Sequence, residues 1–282
     1  MKDKIITILL VIFLLGGIGS LSYPLLSNIL RSYRQDIILT EYNTKLENMS
    51  DDTIRNARIE AMKYNEHLKG NLFVGDPFAT ENARSDDEYS GILNLEKDGI
   101  IGYVEIPRIH VYEPIYHGTK DSVLSKGVGH LEHTSFPIGG IGTHAVLSGH
   151  TGLPEAEIFT NLSALKEKDI FYIHILKETL AYQVDQIKVV EPADTSDLHI
   201  DPKQDYVTLL TCTPYGINSH RLLVRGIRVE YTKELTEQAQ QQRDEGGENE
   251  LWKEAFGKAV IEGILIAAII LVFVILIWKR KR

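Results

Sequence analysis

The sequence predicts a mainly β protein, a closed or nearly closed β-barrel carried between two apolar ends. Three observations predict it. Between Ile100 and Tyr231 the chain breaks into short runs rich in valine, isoleucine, leucine and tyrosine, separated by turn residues. Ahead of that stretch lies a polar region with apolar residues at helical spacing. At each terminus stands an apolar run of about twenty residues, the length that crosses a bilayer as a helix.

The β-like runs are Ile101–Ile106, Val111–Tyr116, His144–Ser148, Ile170–Leu176, Leu180–Val190, Tyr206–Cys212 and Arg221–Tyr231. Pro107, Gly118, Gly139-Gly140, Gly152, Pro192, Pro202 and Pro214-Tyr215-Gly216 fall between them. Many short strands at such spacing predict a barrel over residues 100–232. Glu155 to Lys168 reads as a short helix inserted between strands. Upstream, residues 28–70 carry Ile54, Ala57, Ala61, Tyr64 and Leu68 on one helical stripe, which predicts one or two helices ending near Gly70. Residues 71–99 are irregular and hold Gly75-Asp76-Pro77-Phe78 followed by an acidic, serine-containing segment. Proline stops a helix and drives the residue before it toward extended backbone. A loop of that length is usually a lid, a binding loop or disordered. Residues 233–258, rich in glutamine and glutamate with Gly246-Gly247, read as a solvated tether.

The ends assign topology. In residues 1–27 the run Ile5 to Leu26 follows Lys2 and Lys4; in residues 259–282 the run Ala259 to Trp278 precedes Lys279-Arg280-Lys281-Arg282. Cationic flanks stay on the cytoplasmic side, so both termini are expected in the cytoplasm and everything between them outside. A cleaved signal peptide is the other reading of the first run. Its length and the lack of a small-x-small site near its end favour an uncleaved anchor. The net charge is -9, and no basic stripe with interleaved aromatics runs through the chain, so nucleic acid is not an expected partner.

Cys212 is the only cysteine. One cysteine makes no internal disulfide, although an extracytoplasmic domain often carries them. An inert buried thiol is the plain reading of such a residue; its neighbourhood argues for chemistry. Cys212 ends the run Val207–Cys212 and enters the turn Thr213-Pro214-Tyr215-Gly216, where a sheet holds a nucleophile and a turn exposes it. Arg221 opens the next apolar strand, which places it beside Cys212 if the two strands pair. A permanently charged guanidinium can favour a thiolate, orient a carbonyl or stabilise an oxyanion; a surface arginine is the alternative. Acyl transfer by a thiol also needs a proton donor and acceptor, usually histidine. His150 stands out among the ten histidines, in Gly149-His150-Thr151-Gly152 just past an apolar strand. His220, beside Arg221, is the runner-up, and His144 begins the strand that leads to His150. His130 and His133 have a spacing seen in metal sites, but no second ligand cluster accompanies them, so neither a metal nor a cofactor is expected.

The segment Thr208-Leu209-Leu210-Thr211-Cys212 resembles the TLxTC signature of sortases. Its continuation Thr213-Pro214-Tyr215-Gly216-Ile217-Asn218-Ser219-His220-Arg221-Leu222-Leu223-Val224-Arg225-Gly226 is similar to class C, the pilin-polymerising sortases. Gly142 to Pro154 resembles the catalytic-histidine segment of that class, and the likeness runs from about Tyr33 to Tyr231. One departure is Thr151, where many class members carry a basic residue. The resemblance implies a closed eight-stranded sortase-type β-barrel with N-terminal helices, a lid loop and two terminal transmembrane helices. It implies that Cys212 attacks the Thr–Gly bond of an LPxTG-type sorting signal, that His150 moves the proton, and that Arg221 holds the substrate backbone. A lysine of the next pilin subunit would then resolve the thioacyl-enzyme as an isopeptide. It also implies a lid in which Asp76 engages the arginine, Pro77 fixes the turn and Phe78 covers the thiol. The expected partners are pilin subunits or surface proteins with sorting signals and the lipid bilayer, around a monomeric catalytic domain. Two other readings stand beside this one: a sortase that attaches surface proteins to cell-wall peptidoglycan, and a non-enzymatic tethered adhesin or scaffold.

Overall fold

The computed structural model describes residues 2–68, 87–152, 158–245 and 262–263, and only the backbone for most of residues 2–29. Asp76, Pro77 and Phe78 lie outside the described residues, as does nearly all of the second apolar run. The chain divides into two units, residues 1–30 with 248–282 and residues 31–247. Among the described residues no helix is long and apolar enough to cross a membrane.

Eight strands close a barrel in the larger unit. They are β1 (Ile100–Ile106), β2 (Val111–His117), β3 (Val128–His130), β4 (Thr143–Ser148), β5 (Ile170–Ile175), β6 (Glu178–Val190), β7 (Asp205–Thr213) and β8 (His220–Val229). Around the barrel they run β1-β2-β3-β4-β7-β8-β6-β5, and β5 returns to β1. The pairs β2–β3 and β4–β7 are parallel and the others antiparallel. Alternation along each strand fills the interior. Val207 and Leu209 of β7, Ala145 and Leu147 of β4, and Leu222 and Val224 of β8 join one buried core with Phe136, Phe159, Phe171 and Tyr182. Gly226 has to be glycine there, because a Cβ would stand 2.4 Å from the Phe171 ring. On the outer face, Val146, Leu210 and Leu223 pack with Leu131 and Leu198 as a second, smaller cluster.

Helices sheathe one side. Helix α1 (Lys2–Asn48) reaches the barrel through its C-terminal half, where the Tyr42 hydroxyl donates to the Ile101 carbonyl at 3.2 Å. Arg31 and Gln35 of α1 donate to the buried Glu113 carboxylate at 3.0 and 2.7 Å and to the Lys126 carbonyl. Burial outweighs these donors and pushes the Glu113 carboxyl up to about 7. Helix α2 (Asp51–His67) starts where Ser50 accepts from the Thr53 amide, with Asp51 and Asp52 in its first turn. Its Ala57, Ala61 and Asn65 are buried, and Asn65 exchanges two hydrogen bonds with the Phe136 backbone at 2.7 and 3.1 Å.

Besides β3, which no apolar run announces, three elements differ from the sequence reading. Residues 233–245, expected as a solvated tether, form helix α5 (Lys233–Glu245) and dock on the barrel. Its composition is polar because only a narrow stripe faces inward: Ala239 is buried, Gln242 accepts from the Ile170 amide at 2.9 Å, and Arg243 pairs with Glu105 at 2.7 Å. The helix expected over Glu155 to Lys168 is, in its described part, a 3-10 turn at Leu162–Ala164. Ile158, Phe159, Leu162 and Leu165 of this segment are all buried in the main core. In residues 71–99, the described part opens with helix α3 (Asp87–Gly91), whose Tyr89 is fully buried.

Candidate active site

Strand β7 lies between β4 and β8, and register brings the expected residues together. Cys212 stands directly opposite Arg221 in the antiparallel β7–β8 ladder. Opposite residues share a face with their Cβ atoms about 5 Å apart. That face is the outer one, shared with Leu210 and Leu223. The thiol is half-buried, as befits a group at a strand end. Arg221 is 92 % buried by its 8 % exposure, and its Nη1 donates to the carbonyls of Asn218 and His220 at 3.2 and 3.0 Å. These bonds fix the guanidinium against the strand end.

His150 arrives from the other side. In the parallel β4–β7 ladder Ser148 pairs with Leu210. The Gly149 amide continues the pairing by donating to the Leu210 carbonyl at 3.0 Å, and the Thr211 hydroxyl donates to the Gly149 carbonyl at 2.7 Å. The chain past Ser148 thus runs alongside the end of β7 and carries His150 toward the end that holds Cys212. The His150 carbonyl accepts from the Phe159 amide at 3.1 Å. Gly149 permits this crossing, since a Cβ there would lie 2.6 Å from the Phe159 ring. Gly152 has φ +78 and lies under the Tyr215 ring, 3.2 Å from where a Cβ would be. The peptide bond between Thr213 and Pro214 in the adjoining turn is cis.

The other histidines separate from the thiol. His220 pairs with Thr213, one register step from Cys212, and so occupies the opposite face. Its Nδ1 meets the Ser219 hydroxyl at 2.8 Å and its Nε2 meets Glu191 at 3.2 Å. His144 is buried between β4 and β7, where Nδ1 donates to the His199 carbonyl at 2.9 Å and Nε2 accepts from Thr208 at 2.7 Å. Burial pushes its imidazolium down to about 4. His130 is fully buried: Nε2 donates to the Ser135 carbonyl at 2.8 Å, and the Tyr89 hydroxyl lies 2.9 Å from Nδ1. Burial holds it down at about 3. Both ring nitrogens are engaged, so the spacing to His133 reflects packing. Among the described residues no group of three His, Cys, Asp or Glu side chains is placed to hold a metal.

One acidic residue that no motif pointed to also meets the site. Asp121, in the short helix α4 (Asp121–Leu124) between β2 and β3, has Oδ1 3.5 Å from His150 Nε2. Twenty-nine positions separate the two in sequence, and the pairing of β3 with β4 leads from one to the other.

A half-buried thiol opposite a fixed guanidinium, with a histidine carried in by the chain that leaves β4, suits acyl transfer through sulfur. A model of the sortase domain matches residues 104–229. Sortase C-1 from Streptococcus pneumoniae is 46 % identical and superposes with a TM-score of 0.64, over 69 % of this chain and 98 % of that one. The pilus-related sortase C of group B Streptococcus is 45 % identical with a TM-score of 0.63, over 68 % and 97 %. The chain belongs to the class C sortases. Sortase D of Bacillus subtilis strain 168 is a more distant relative, 27 % identical over 194 residues, which are 68 % of this chain and 88 % of that protein. Sortases are cysteine transpeptidases, and this chain has one cysteine, at the end of β7.

Proposed function

We propose that this transpeptidase joins pilin subunits at the outer face of the cell membrane, with Cys212, His150 and Arg221 as its catalytic residues. The observation that carries the reading is the shared outer face of Cys212 and Arg221, set by their register; the chain that leaves β4, the strand next to β7, supplies His150 in this reading. The Cys212 thiolate attacks the threonine carbonyl carbon of an LPxTG-type sorting signal. The Thr–Gly C–N bond breaks, and the glycine amine leaves with a proton from His150. Arg221 holds the substrate carbonyls and the developing negative charge. A lysine ε-amine of the next subunit then attacks the thioester, gives its proton to His150, and the Cys212 thiolate leaves as the isopeptide forms. The pilus-related sortase among the similar structures supports the choice of pilins.

The apolar runs at Ile5–Leu26 and Ala259–Trp278, with basic residues on their outer flanks, support two anchors and cytoplasmic termini. Substrates held in the same membrane meet a tethered enzyme at high effective concentration. Asp76, Pro77 and Phe78 form the lid in this reading: an acid and an aromatic ring fixed by proline mask the arginine and the thiol. Substituting Asp76 or Phe78 should speed labelling of Cys212 by a thiol reagent, and equal labelling rates would remove the lid.

The test is reconstitution of the full chain in detergent with a pilin that carries a sorting signal. Covalent ladders with a Thr–Lys isopeptide in their tryptic digest are expected, and a Cys212→Ala enzyme should give none. Ladders that persist in that variant, or product joined to peptidoglycan fragments in place of lysine, would overturn the proposal.

A further inference from the structure

We infer that Asp121 is a positioning residue for the transpeptidation, holding the His150 imidazole by Nε2 so that Nδ1 faces the reacting groups. The inference rests on the catalytic role proposed above for His150. Its starting point is the 3.5 Å separation of His150 Nε2 and Asp121 Oδ1. His150 has one-quarter of its side chain exposed and Asp121 three-quarters, at 25 % and 76 %. An exposed ion pair ordinarily contributes little, because holding two mobile side chains together costs entropy. Here the backbone under the carboxylate is fixed in advance.

The fixing comes from both ends of its loop. At the entry, the Gly118 amide donates to the His130 carbonyl and to the Tyr89 hydroxyl, each at 3.0 Å. Within α4, Leu124 is 1 % exposed and rests on β3, where a Cβ on Gly129 would come within 2.2 Å of the Gly118 carbonyl oxygen. At the exit, Arg31 of α1 donates to the carbonyls of Ser125 and Lys126 at 3.1 and 2.9 Å, and Gln35 donates to Lys126 at 3.0 Å. Strand β3 pairs with β4, which leads into His150. A rigid frame therefore presents the Asp121 carboxylate to a ring whose own backbone is tied to Phe159 and, through Gly149, to Leu210 and Thr211.

The chemistry follows from the two nitrogens of imidazole. A carboxylate at Nε2 favours the tautomer protonated there and steadies the ring when it is doubly protonated. Nδ1 is then the nitrogen that gives a proton to the leaving glycine amine and takes one from the incoming amine. The carboxylate touches neither substrate nor thiol. It acts through the ring, as the third group that orients a base beside a nucleophile.

The experiment compares the full-length wild-type enzyme with Asp121→Asn and Asp121→Glu in detergent. Formation of the thioacyl adduct from a sorting-signal peptide is timed by rapid quench and intact mass. Acylation needs no lysine acceptor, so it isolates the step in which His150 protonates the leaving amine. Asp121→Asn should slow acylation about tenfold at saturating peptide with an unchanged KM, a fraction of the 10²–10⁴-fold that a general acid–base supplies. Asp121→Glu should restore most of that rate. In spectra of ¹⁵N-histidine enzyme, the His150 ring should lose its Nε2-protonated signature in Asp121→Asn and keep it in Asp121→Glu. Acylation by Asp121→Asn at the wild-type rate would overturn the inference, and so would an unchanged tautomer. A lower melting temperature whose rate loss Asp121→Glu does not repair would assign Asp121 a structural role and overturn it too. A wild-type enzyme that forms no adduct at Cys212 refutes the proposed function itself. The tautomer spectra need no substrate and still decide the placement of the ring.

Discussion

Thr211 precedes the thiol, yet its side chain points away from it, into the protein, at 2 % exposure. Its hydroxyl donates to the Gly149 carbonyl at 2.7 Å and so joins the strand of Cys212 to the residue before His150. Thr211→Val keeps the shape and removes the bond. A neutral hydrogen bond contributes about 1 kcal/mol net, and a buried carbonyl left without a donor costs about 1–3 kcal/mol. The expected loss is about 2 kcal/mol. For a unit of this size each kcal/mol lowers the melting temperature by about 2–4 °C, so a drop of about 4–8 °C is predicted. The catalytic effect should be larger than the thermodynamic one. Freeing Gly149 lets His150 drift from Cys212, and a misplacement of about 1 Å costs up to about 10²-fold in rate. Differential scanning calorimetry and single-turnover acylation below the melting transition measure the two effects. A Thr211→Val enzyme that melts and acylates like the wild type would refute the idea that this bond sets the spacing of thiol and imidazole.

Other parts of the molecule give further tests. Glu113, held up at about 7, binds its proton more tightly in the folded state than in the unfolded one, so it lends stability at pH 4.5 that is lost as the pH rises through 7. Urea unfolding should therefore show wild type gaining about 3 kcal/mol relative to Glu113→Gln between pH 7.5 and 4.5, and parallel pH profiles would contradict the assignment. His130 and His144, held down at about 3 and 4, act in the opposite sense: their contribution is complete above about pH 6.5 and is lost as the pH falls toward 4. In Glu113→Gln this acid loss should be steeper than in wild type. Gln242→Ala removes the acceptor of the buried Ile170 amide and should cost about 1–3 kcal/mol, with faster hydrogen exchange along α5. Gly226→Ala forces a methyl group against Phe171 and should cost about 1–3 kcal/mol by calorimetry.

How much of this was legible in the sequence depended on the length of the signal. Strands β4, β7 and β8 announced themselves as apolar runs, and the pairing of Cys212 with Arg221 followed from the short turn between them. Strand β3 did not, because Val128–His130 is three residues with a glycine in the middle. Its pairing comes from β2 and β4, which a local pattern does not contain. Helix α5 was hidden by its polarity, since two or three inward residues in thirteen leave the composition of a tether. The segment Glu155 to Lys168 erred in the other direction: read as a helix, it packs Ile158, Phe159, Leu162 and Leu165 into the core beside Gly149. At the candidate site, His150 stood out in the sequence through its flanking glycines. Asp121 was missed because its contact with His150 depends on a strand pairing and has no signature of its own.

The most direct test of the central claim is to find where the acyl group goes. The full-length enzyme is mixed with a sorting-signal peptide, quenched in acid, digested and mapped by mass spectrometry. A threonine-ended acyl group should appear as a thioester on the peptide that contains Cys212, should be released by hydroxylamine, and should be missing from Cys212→Ala. An acyl group on any other residue, or peptide cleavage that survives in Cys212→Ala, would contradict the assignment of Cys212 as the nucleophile.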